Sequence, residues 1–254
     1  SVRPRGLGEP VSGGLLVVLP IISHTYAERC VESILMPGSA CGIKPEEFLV
    51  VDNTRDGSAG RYGLETYRDP DNHQLGVARS WNVGVDRVLA DDSIDYLVLM
   101  SSVMLFGPEL HCTWRWQMER FWGHNVIEAD GHSWHLIALH RRLFETIGRF
   151  DPAYYPYAFE QTDWCYRLRM AGLEHGFVHC WCNALSMGHA LHVDVVSCPA
   201  DPLLAHYREK FGGDKGFETF TMPWGSKPLD YVVEEPIPVL AERYGLGERG
   251  VGWW

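Results

Sequence analysis

The sequence lacks any apolar run near the roughly 18 residues that a membrane-spanning helix requires. Its first residues, Ser1-Val-Arg-Pro-Arg-Gly, also lack the apolar core of a secretory signal peptide. The seven cysteines are odd in number and spread over 254 residues, a pattern that is not typical of a disulfide framework. Together these absences lead us to expect a cytoplasmic protein that works in a reducing compartment.

Basic residues are also scarce, since 22 Lys and Arg stand against 33 Asp and Glu and give a net charge of −11. A broad nucleic-acid surface needs a basic excess, so nonspecific binding to nucleic acid is excluded as the main function. A local basic pocket for phosphate groups remains compatible with this balance. The sequence contains no internal repeats or low-complexity blocks, and its length suits one domain.

Short apolar runs alternate with amphipathic stretches in the first half of the chain. Buried strands are predicted over residues 15–21, 48–51 and 96–100, and helices over 26–35 and 76–89. This alternation predicts an α/β fold with a mainly parallel sheet flanked by helices. Ligands of such sheets bind beyond the carboxyl ends of the strands. Those ends carry Pro20 to His24, Asp52 with Asn53, and Ser101 with Ser102.

The second half is less regular. A helix is predicted over residues 108–121, strands over 126–129 and 136–139, and a further helix that Gly172 ends. From about residue 200 onward Pro and Gly interrupt the chain, and we expect an irregular tail wrapped on the domain.

Two acids and an arginine share one face of the helix that Gly172 ends. At about 100° per residue Glu160, Asp163 and Arg167 fall within one stripe. In a structural interpretation, acids favour a helix N-terminus and pair with the arginine. In a functional interpretation, the preceding Gly, Pro and aromatic residues form the wall of a pocket that contains the acids. This stretch alone leaves both interpretations open.

Four blocks, in this order, resemble the inverting nucleotide-sugar glycosyltransferases of family two, of phage and bacterial type. They are Val17-Val-Leu-Pro-Ile-Ile-Ser-His, Phe48-Leu-Val-Val-Asp-Asn-Thr-Arg-Asp-Gly-Ser, Leu75-Gly-Val-Ala-Arg-Ser-Trp-Asn-Val-Gly-Val and Phe159-Glu-Gln-Thr-Asp-Trp. The resemblance covers about residues 15–224. It implies a GT-A fold with a Rossmann-like sheet, a nucleotide-diphosphate sugar donor, and transfer of a hexosyl or related group to an acceptor hydroxyl with inversion.

The same resemblance implies a single GT-A-like domain over residues 1–254. Its parts would be an irregular arm (1–13), a nucleotide-binding half (14–107), an acceptor and catalytic half (108–199) and the wrapping tail (200–254). The acceptor hydroxyl would belong to a glycan, a protein, a small molecule or a modified DNA base.

The resemblance also implies which residues contact the donor. The candidates are Pro20, Ile21, Ser23, Asp52, Asn53, Gly76, Arg79, Asn82, Ser101, Ser102, Arg167, His189 and Lys210. Asp52 would bind the base of the nucleotide, although an Asp that opens a turn explains the same position. Gly76 would let backbone approach the ligand closely, although helix N-capping explains it nearly as well.

Two positions depart from the family pattern. Ser101 and Ser102 stand where the family has metal-binding acids, and hydroxyls are poor sole ligands for Mg²⁺ or Mn²⁺. We therefore assign no metal ligands and expect weak metal dependence. Gln161 stands where the family has its general base, and an amide does not accept a proton. Either Glu160 or Asp163 is the base, or the chain is a catalytically silent GT-A-like module that binds a nucleotide or glycan.

Cations would replace the metal beside the diphosphate, and Arg79, Arg167 and Lys210 are the candidates. Lys210 precedes Gly212 and Gly213, which would let this segment close as a lid, although a solvated basic turn is the alternative. A zinc site among His179, Cys180, Cys182, His189 and His192 lacks the usual ligand spacing. A nucleotidyltransferase is disfavoured because the Gly-rich basic loop of those enzymes is missing after the first strand.

The spacing along the acidic helix separates the two candidate bases. Asp163 lies four residues before Arg167 and is expected to be its ionised structural partner. Glu160 follows the aromatic segment of residues 154–159, where desolvation would raise its pKa towards that of a working base. The sequence therefore predicts Glu160 as the proton acceptor.

Overall fold

The computed structural model describes residues 13–132, 134–173, 176–186, 200–219 and 235–244. Its strands are β1 (Gly14–Ile21), β2 (Phe48–Asp52), β3 (Glu65–Tyr67), β4 (Ile94–Met100), β5 (Met104–Phe106), β6 (Val126–Ala129), β7 (Leu136–His140), β8 (Phe177–Cys180) and β9 (Ala184–Ser186). Its α-helices are α1 (His24–Leu35), α2 (Gly76–Ala90), α3 (Trp114–Arg120), α4 (Arg141–Ile147), α5 (Glu160–Met170), α6 (Ala200–Phe211) and α7 (Ile237–Arg243).

Seven strands form one sheet in the order β3-β2-β1-β4-β7-β6-β8. The strands β3, β2, β1 and β4 run parallel to one another, and β7 is antiparallel to both β4 and β6. A separate antiparallel ribbon joins β5 to β9. The predicted α/β fold with a mainly parallel sheet flanked by helices is confirmed.

Side chains alternate between the two faces of the sheet, as the period of a strand requires. Leu16 and Val18 of β1 pack into the core beneath α2, α4, α5, α6 and α7. Leu15, Val17 and Leu19 pack into the second core, beneath α1 and α3. Because β1 is buried on both faces, its sequence is almost wholly apolar.

The structure corrects two of the predicted elements. The helix expected over 108–121 begins only at Trp114, because the Thr113 hydroxyl caps its N-terminus by accepting from the Trp116 N–H. The tail expected to be irregular contains α6 and α7, and Leu203, Tyr207 and Phe211 of α6 are fully buried. The short strands β3, β5, β8 and β9 and the helix α4 were not predicted from the sequence.

Within the described ranges, no helix combines the length and the apolar character needed to cross a bilayer. The six cysteines there, from Cys30 to Cys182, are free thiols.

Candidate functional site

Asp52 ends β2 at the carboxyl edge of the sheet and is 2% exposed. Its Oδ1 accepts from the Thr54 N–H at 2.9 Å and from the Thr54 hydroxyl, and its Oδ2 accepts from the Ala59 N–H at 3.2 Å. The Arg68 guanidinium lies 3.4 Å from Oδ2. This is the geometry of an Asp that forms a turn. Recognition of the nucleotide base by Asp52 remains a prediction, and it requires the donor to replace one of these partners.

The loop that follows β2 is held to the first helix by His24. One nitrogen of its ring lies 2.8 Å from the Tyr62 hydroxyl, and the other lies 2.7 Å from the Ser58 hydroxyl. Ser58 in turn donates to Asp56 at 2.8 Å, and this hydrogen bond lowers the pKa of the Asp56 carboxyl to about 2. The loop around Asp52 is therefore ordered by polar contacts that the sequence analysis did not predict.

Asn53 joins β2 to the start of α2. Its Oδ1 accepts from the Leu75 N–H at 2.7 Å, and its Nδ2 donates to the Ser80 hydroxyl at 2.9 Å. The side chain is buried, so both bonds would have to break before the amide contacts a donor. The structure gives Asn53 a role in connecting the elements of the fold, in place of the predicted donor contact.

Gly76 and Asn82 hold the segment of residues 148–159 against α2. Gly76 has φ +72°, and a Cβ there would lie 2.6 Å from the Pro156 carbonyl oxygen. The backbone that approaches Gly76 therefore belongs to this chain, which corrects the expectation that the glycine admits a ligand. Asn82 exchanges two hydrogen bonds with the backbone of Phe150, at 2.8 and 2.9 Å, so its predicted donor contact is corrected in the same way.

The carboxyl ends of β1 and β4 present few charges. Pro20 and Ile21 are buried within β1, and Ser23 caps α1 by accepting from the Thr25 N–H at 3.3 Å. Ser101 and Ser102, after β4, are half-buried. Two neighbouring hydroxyls do not fit a divalent cation, which prefers carboxylate oxygen.

Glu160 is the first residue of α5 and is 5% exposed. Its Oε2 atom is buried and has no hydrogen-bond partner among the residues that the structure describes. Burial raises the pKa of the Glu160 carboxyl to about 7, against the opposing effect of the backbone N–H groups of Glu160 and Ala158. The negative charge of Asp163 raises this pKa further. The raised pKa predicted for Glu160 is confirmed.

The backbone that leads into Glu160 is strained. Ala158 and Phe159 have φ values of +87° and +69°, a region that residues with a Cβ rarely adopt. Such residues cost about 1–3 kcal/mol each and cluster at functional sites. Gln161, the residue after Glu160, is exposed. The buried acid Glu160 is therefore followed directly by a solvated amide.

Asp163 lies at the centre of a buried ion cluster. Its Oδ1 is 2.7 Å from Arg167 Nε, and its Oδ2 is 2.6 Å from Lys210 Nζ. Its Oδ2 also accepts from the Tyr154 hydroxyl at 3.1 Å. Lys210 Nζ lies 2.6 Å from Asp151 Oδ2 as well. The expectation that Asp163 is the structural partner of Arg167 is confirmed.

This cluster corrects the expectation that Arg167 and Lys210 neutralise a diphosphate. Arg167 is fully buried and also donates to the carbonyl oxygens of Ile147 and Arg149. Lys210 is 3% exposed and held between two carboxylates, so it does not form a lid. Arg79 is half-buried near the start of α2 and donates to the Glu235 carbonyl oxygen.

Asp151, His206 and Tyr154 belong to the cluster but were not identified from the sequence. Asp151 Oδ2 lies 3.2 Å from His206 Nε2, and the positive charge of Lys210 overcomes the effect of burial and lowers the pKa of Asp151. Lys210 is 59 residues from Asp151 along the chain. No local spacing signals a partnership over that distance.

Two further observations concern Trp134 and the candidate metal ligands. Trp134 packs on Trp81 and Trp164, with ring centroids 5.8 and 6.0 Å apart, so it contacts the core. His189 and His192 lie outside the described residues.

Asp69, Asp71 and His73 bring ligand atoms within 4.8 Å of one another in the loop before α2. Asp69 there accepts from the N–H groups of Asp71 and His73, which accounts for the cluster as a turn.

Comparison with families and curated proteins finds no relative, since no family model and no curated protein matches the chain. Solved structures do show similarity. A mannosyltransferase from Pyrobaculum calidifontis, solved with GDP-Man and Mn²⁺, is 12% identical over 69% of this chain and 60% of its own, with a TM-score of 0.45.

Two other solved structures give similar values. The catalytic domain of a Drosophila β1,4-galactosyltransferase 7, in complex with xylobiose, is 14% identical over 66% of this chain and 64% of its own, with a TM-score of 0.39. GalNAc-T7, with UDP, GalNAc and Mn²⁺, is 10% identical over 62% and 41%, with a TM-score of 0.44. The chain thus spans less than two thirds of the length of each.

Proposed function

We propose that this chain is a GT-A glycosyltransferase that moves a sugar from a nucleotide-diphosphate donor to an acceptor hydroxyl with inversion. The proposal starts from the four sequence blocks, two of which lie on the parallel strands β1 and β2 and two on the helices α2 and α5. The observation that carries it is Glu160 at the start of α5, a buried carboxyl with one oxygen that has no hydrogen-bond partner among the described residues. The donor sugar is a hexose or a related sugar, and the chain works in the cytoplasm.

Glu160 acts as the general base. A group with a pKa of about 7 is ionised in a substantial fraction at neutral pH and still binds a proton well. Its Oε2 takes the proton of the acceptor hydroxyl while the acceptor oxygen attacks the anomeric carbon. The bond between that carbon and the diphosphate oxygen breaks on the opposite side, and the electron pair leaves with the diphosphate. One attack from the opposite side gives inversion.

Asp163 is a poor second candidate for the same step. Its two oxygens are held by Arg167, Lys210 and Tyr154, so a proton would have to displace a strong ionic contact. We assign Asp163 to the structure of the site.

The leaving diphosphate requires positive charge at the carboxyl edge of the sheet. Arg167 and Lys210 are buried in the ion cluster, which leaves Arg79 as the remaining candidate of the three predicted cations. The family uses a divalent metal for this purpose, but Ser101 and Ser102 do not fit one, so no step is assigned to a metal. We propose that turnover depends only weakly on added metal.

A catalytically silent module that binds a nucleotide or glycan is the alternative function. The exposed amide of Gln161, at the position of the family's base, favours it. Binding without turnover would support the module.

A screen against UDP-, GDP- and dTDP-sugars separates these possibilities, with thermal shift as the binding readout and donor hydrolysis or transfer as the activity readout. The enzyme proposal expects stabilisation by one nucleotide class together with turnover. Stabilisation without turnover on any acceptor class favours the module. If no nucleotide stabilises the protein, both proposals are rejected.

The assignment of the base is tested with Glu160→Gln on the donor that the screen identifies. Turnover should fall by about 10²–10⁴, while donor affinity stays within about threefold, because the acid acts on the acceptor. The matched control is Glu209→Gln, an exposed acid on α6 that should keep full activity. Wild-type turnover in Glu160→Gln would reject Glu160 as the base.

A further inference from the structure

Lys210 connects helix α6 to the first turn of α5. Its Nζ lies 2.6 Å from Asp163 Oδ2 and 2.6 Å from Asp151 Oδ2, so one ammonium group bridges the two carboxylates. Asp163 is one helical turn from Glu160 on the same face of α5. One end of the bridge, Asp163, is therefore the acidic neighbour of the residue that we assign as the base.

Aromatic packing fixes α6 in this position. The Tyr207 ring lies 5.8 Å from that of Phe159, which immediately precedes Glu160. Tyr207 and Phe211 also pack on each other and are fully buried. The backbone of Lys210 therefore belongs to a helix with a buried face, and its bridge lies inside the protein rather than at the surface.

Four charged side chains of the cluster are buried. Asp151 and Asp163 carry two negative charges, and Arg167 and Lys210 carry two positive charges, while each of the four residues is at most 3% exposed. Water screens these charges weakly, so a change of one unit is felt across the cluster. Ionisation of Glu160 adds a further negative charge near this cluster. A change in the charge of the cluster therefore changes the free energy of that ionisation.

We propose that Lys210 is a positioning residue, whose bridge between Asp151 and Asp163 sets the local charge beside Glu160 and so the pH range in which Glu160 accepts a proton. The kinetic part of this inference rests on the proposed function. The electrostatic part does not, because the protonation of Glu160 is measurable without a substrate.

Titratable or charged groups from three elements lie around Asp163 and Lys210. The segment before α5 contributes an acid and a phenol, α5 contributes an ion pair, and α6 contributes a lysine, a histidine and a second phenol. They are Asp151, Tyr154, Asp163, Arg167, His206, Tyr207 and Lys210.

The sign of the effect follows from the charge count. Asp151→Asn removes one negative charge, which favours the ionised form of Glu160. The pKa of Glu160 should fall by about one unit, the order of magnitude that a unit charge produces at an effective dielectric constant of about 20. The double variant Asp151→Asn with Lys210→Met removes one charge of each sign, and the pKa should return to within about 0.3 units of wild type.

The experiment measures the Glu160 carboxyl by ¹³C NMR titration of the whole chain, with Glu160→Gln to assign the resonance. Asp151→Asn and the double variant are compared with Glu209→Gln, whose exposed charge should leave the titration unchanged. Lys210→Met alone is avoided as the deciding variant because it leaves two buried carboxylates without a bridge and is expected to unfold the protein.

The inference is overturned if Asp151→Asn leaves the titration of Glu160 in place, or if the double variant fails to reverse the shift. On an active donor and acceptor pair, the acid limb of the kcat/KM profile should move with the NMR titration. Shifts in the titration without turnover by any variant would reject the proposed function and leave the electrostatic role of Lys210 intact.

Discussion

Arg167 Nε and Asp163 Oδ1 lie 2.7 Å apart, and both side chains are fully removed from solvent. The two residues are one helical turn apart on α5, and Arg167 contacts the oxygen of Asp163 that Lys210 does not contact. A second acid of the same helix face, Glu160, has one oxygen without a hydrogen-bond partner in the part of the chain that the structure describes. The contact between Arg167 and Asp163 therefore separates the roles of the two acids.

Replacing Glu160 by Gln should stabilise the protein at high pH. The folded-state pKa of about 7 lies above the ordinary value of 4.5, so ionisation of Glu160 costs stability as pH rises from about 4.5 to 7. At 1.36 kcal/mol per pKa unit the cost at pH 8 is about 3 kcal/mol. Urea unfolding of wild type and Glu160→Gln at pH 4 and pH 8 should show a gain only at pH 8. An equal effect at both pH values would contradict a raised pKa.

Replacing Asp163 by Asn should destabilise the fold by about 3–5 kcal/mol, because Arg167 and Lys210 then lack a buried carboxylate. Chemical denaturation gives the free energy of unfolding. Asp201→Asn, at an exposed position on α6, is the control and should change that energy by less than about 0.5 kcal/mol. A mild effect of Asp163→Asn would show that the cluster is less well paired than its distances indicate.

Asp52→Ala should weaken donor binding by about 1–3 kcal/mol, since the donor loses a polar partner at the carboxyl edge of β2. Calorimetry with the preferred donor measures the affinity. Thr54→Val is the matched control, because it removes a hydroxyl that Asp52 accepts from and keeps the carboxylate. If Asp52→Ala binds the donor as tightly as Thr54→Val does, Asp52 forms the turn and does not contact the donor.

Turnover should fall less than about tenfold in excess EDTA, because the hydroxyls of Ser101 and Ser102 are poor ligands for Mg²⁺ or Mn²⁺. The comparison uses the same donor and acceptor with EDTA, with added Mn²⁺ and with neither. A loss beyond about a hundredfold in EDTA would show that other side chains recruit a metal.

The sequence by itself determined the elements whose signals are local. The apolar run of β1 and the helical period of α2 predicted buried elements at nearly the observed bounds, because burial on one or both faces imposes its own periodicity. The i,i+4 pairing of Asp163 with Arg167 and the desolvation of Glu160 also followed from spacing and from the aromatic residues beside it.

Only the tertiary structure decided which partners meet across the chain. Lys210, expected at a phosphate, is buried between Asp151 and Asp163, and Gly76, expected beside a ligand, is in contact with Pro156. These contacts join positions 47 to 80 residues apart, and no residue period encodes them. Their geometry arises when α2, α5 and α6 pack against the segment of residues 148–159. A buried charge or a glycine with positive φ then takes its partner from the backbone or side chain that this packing brings near.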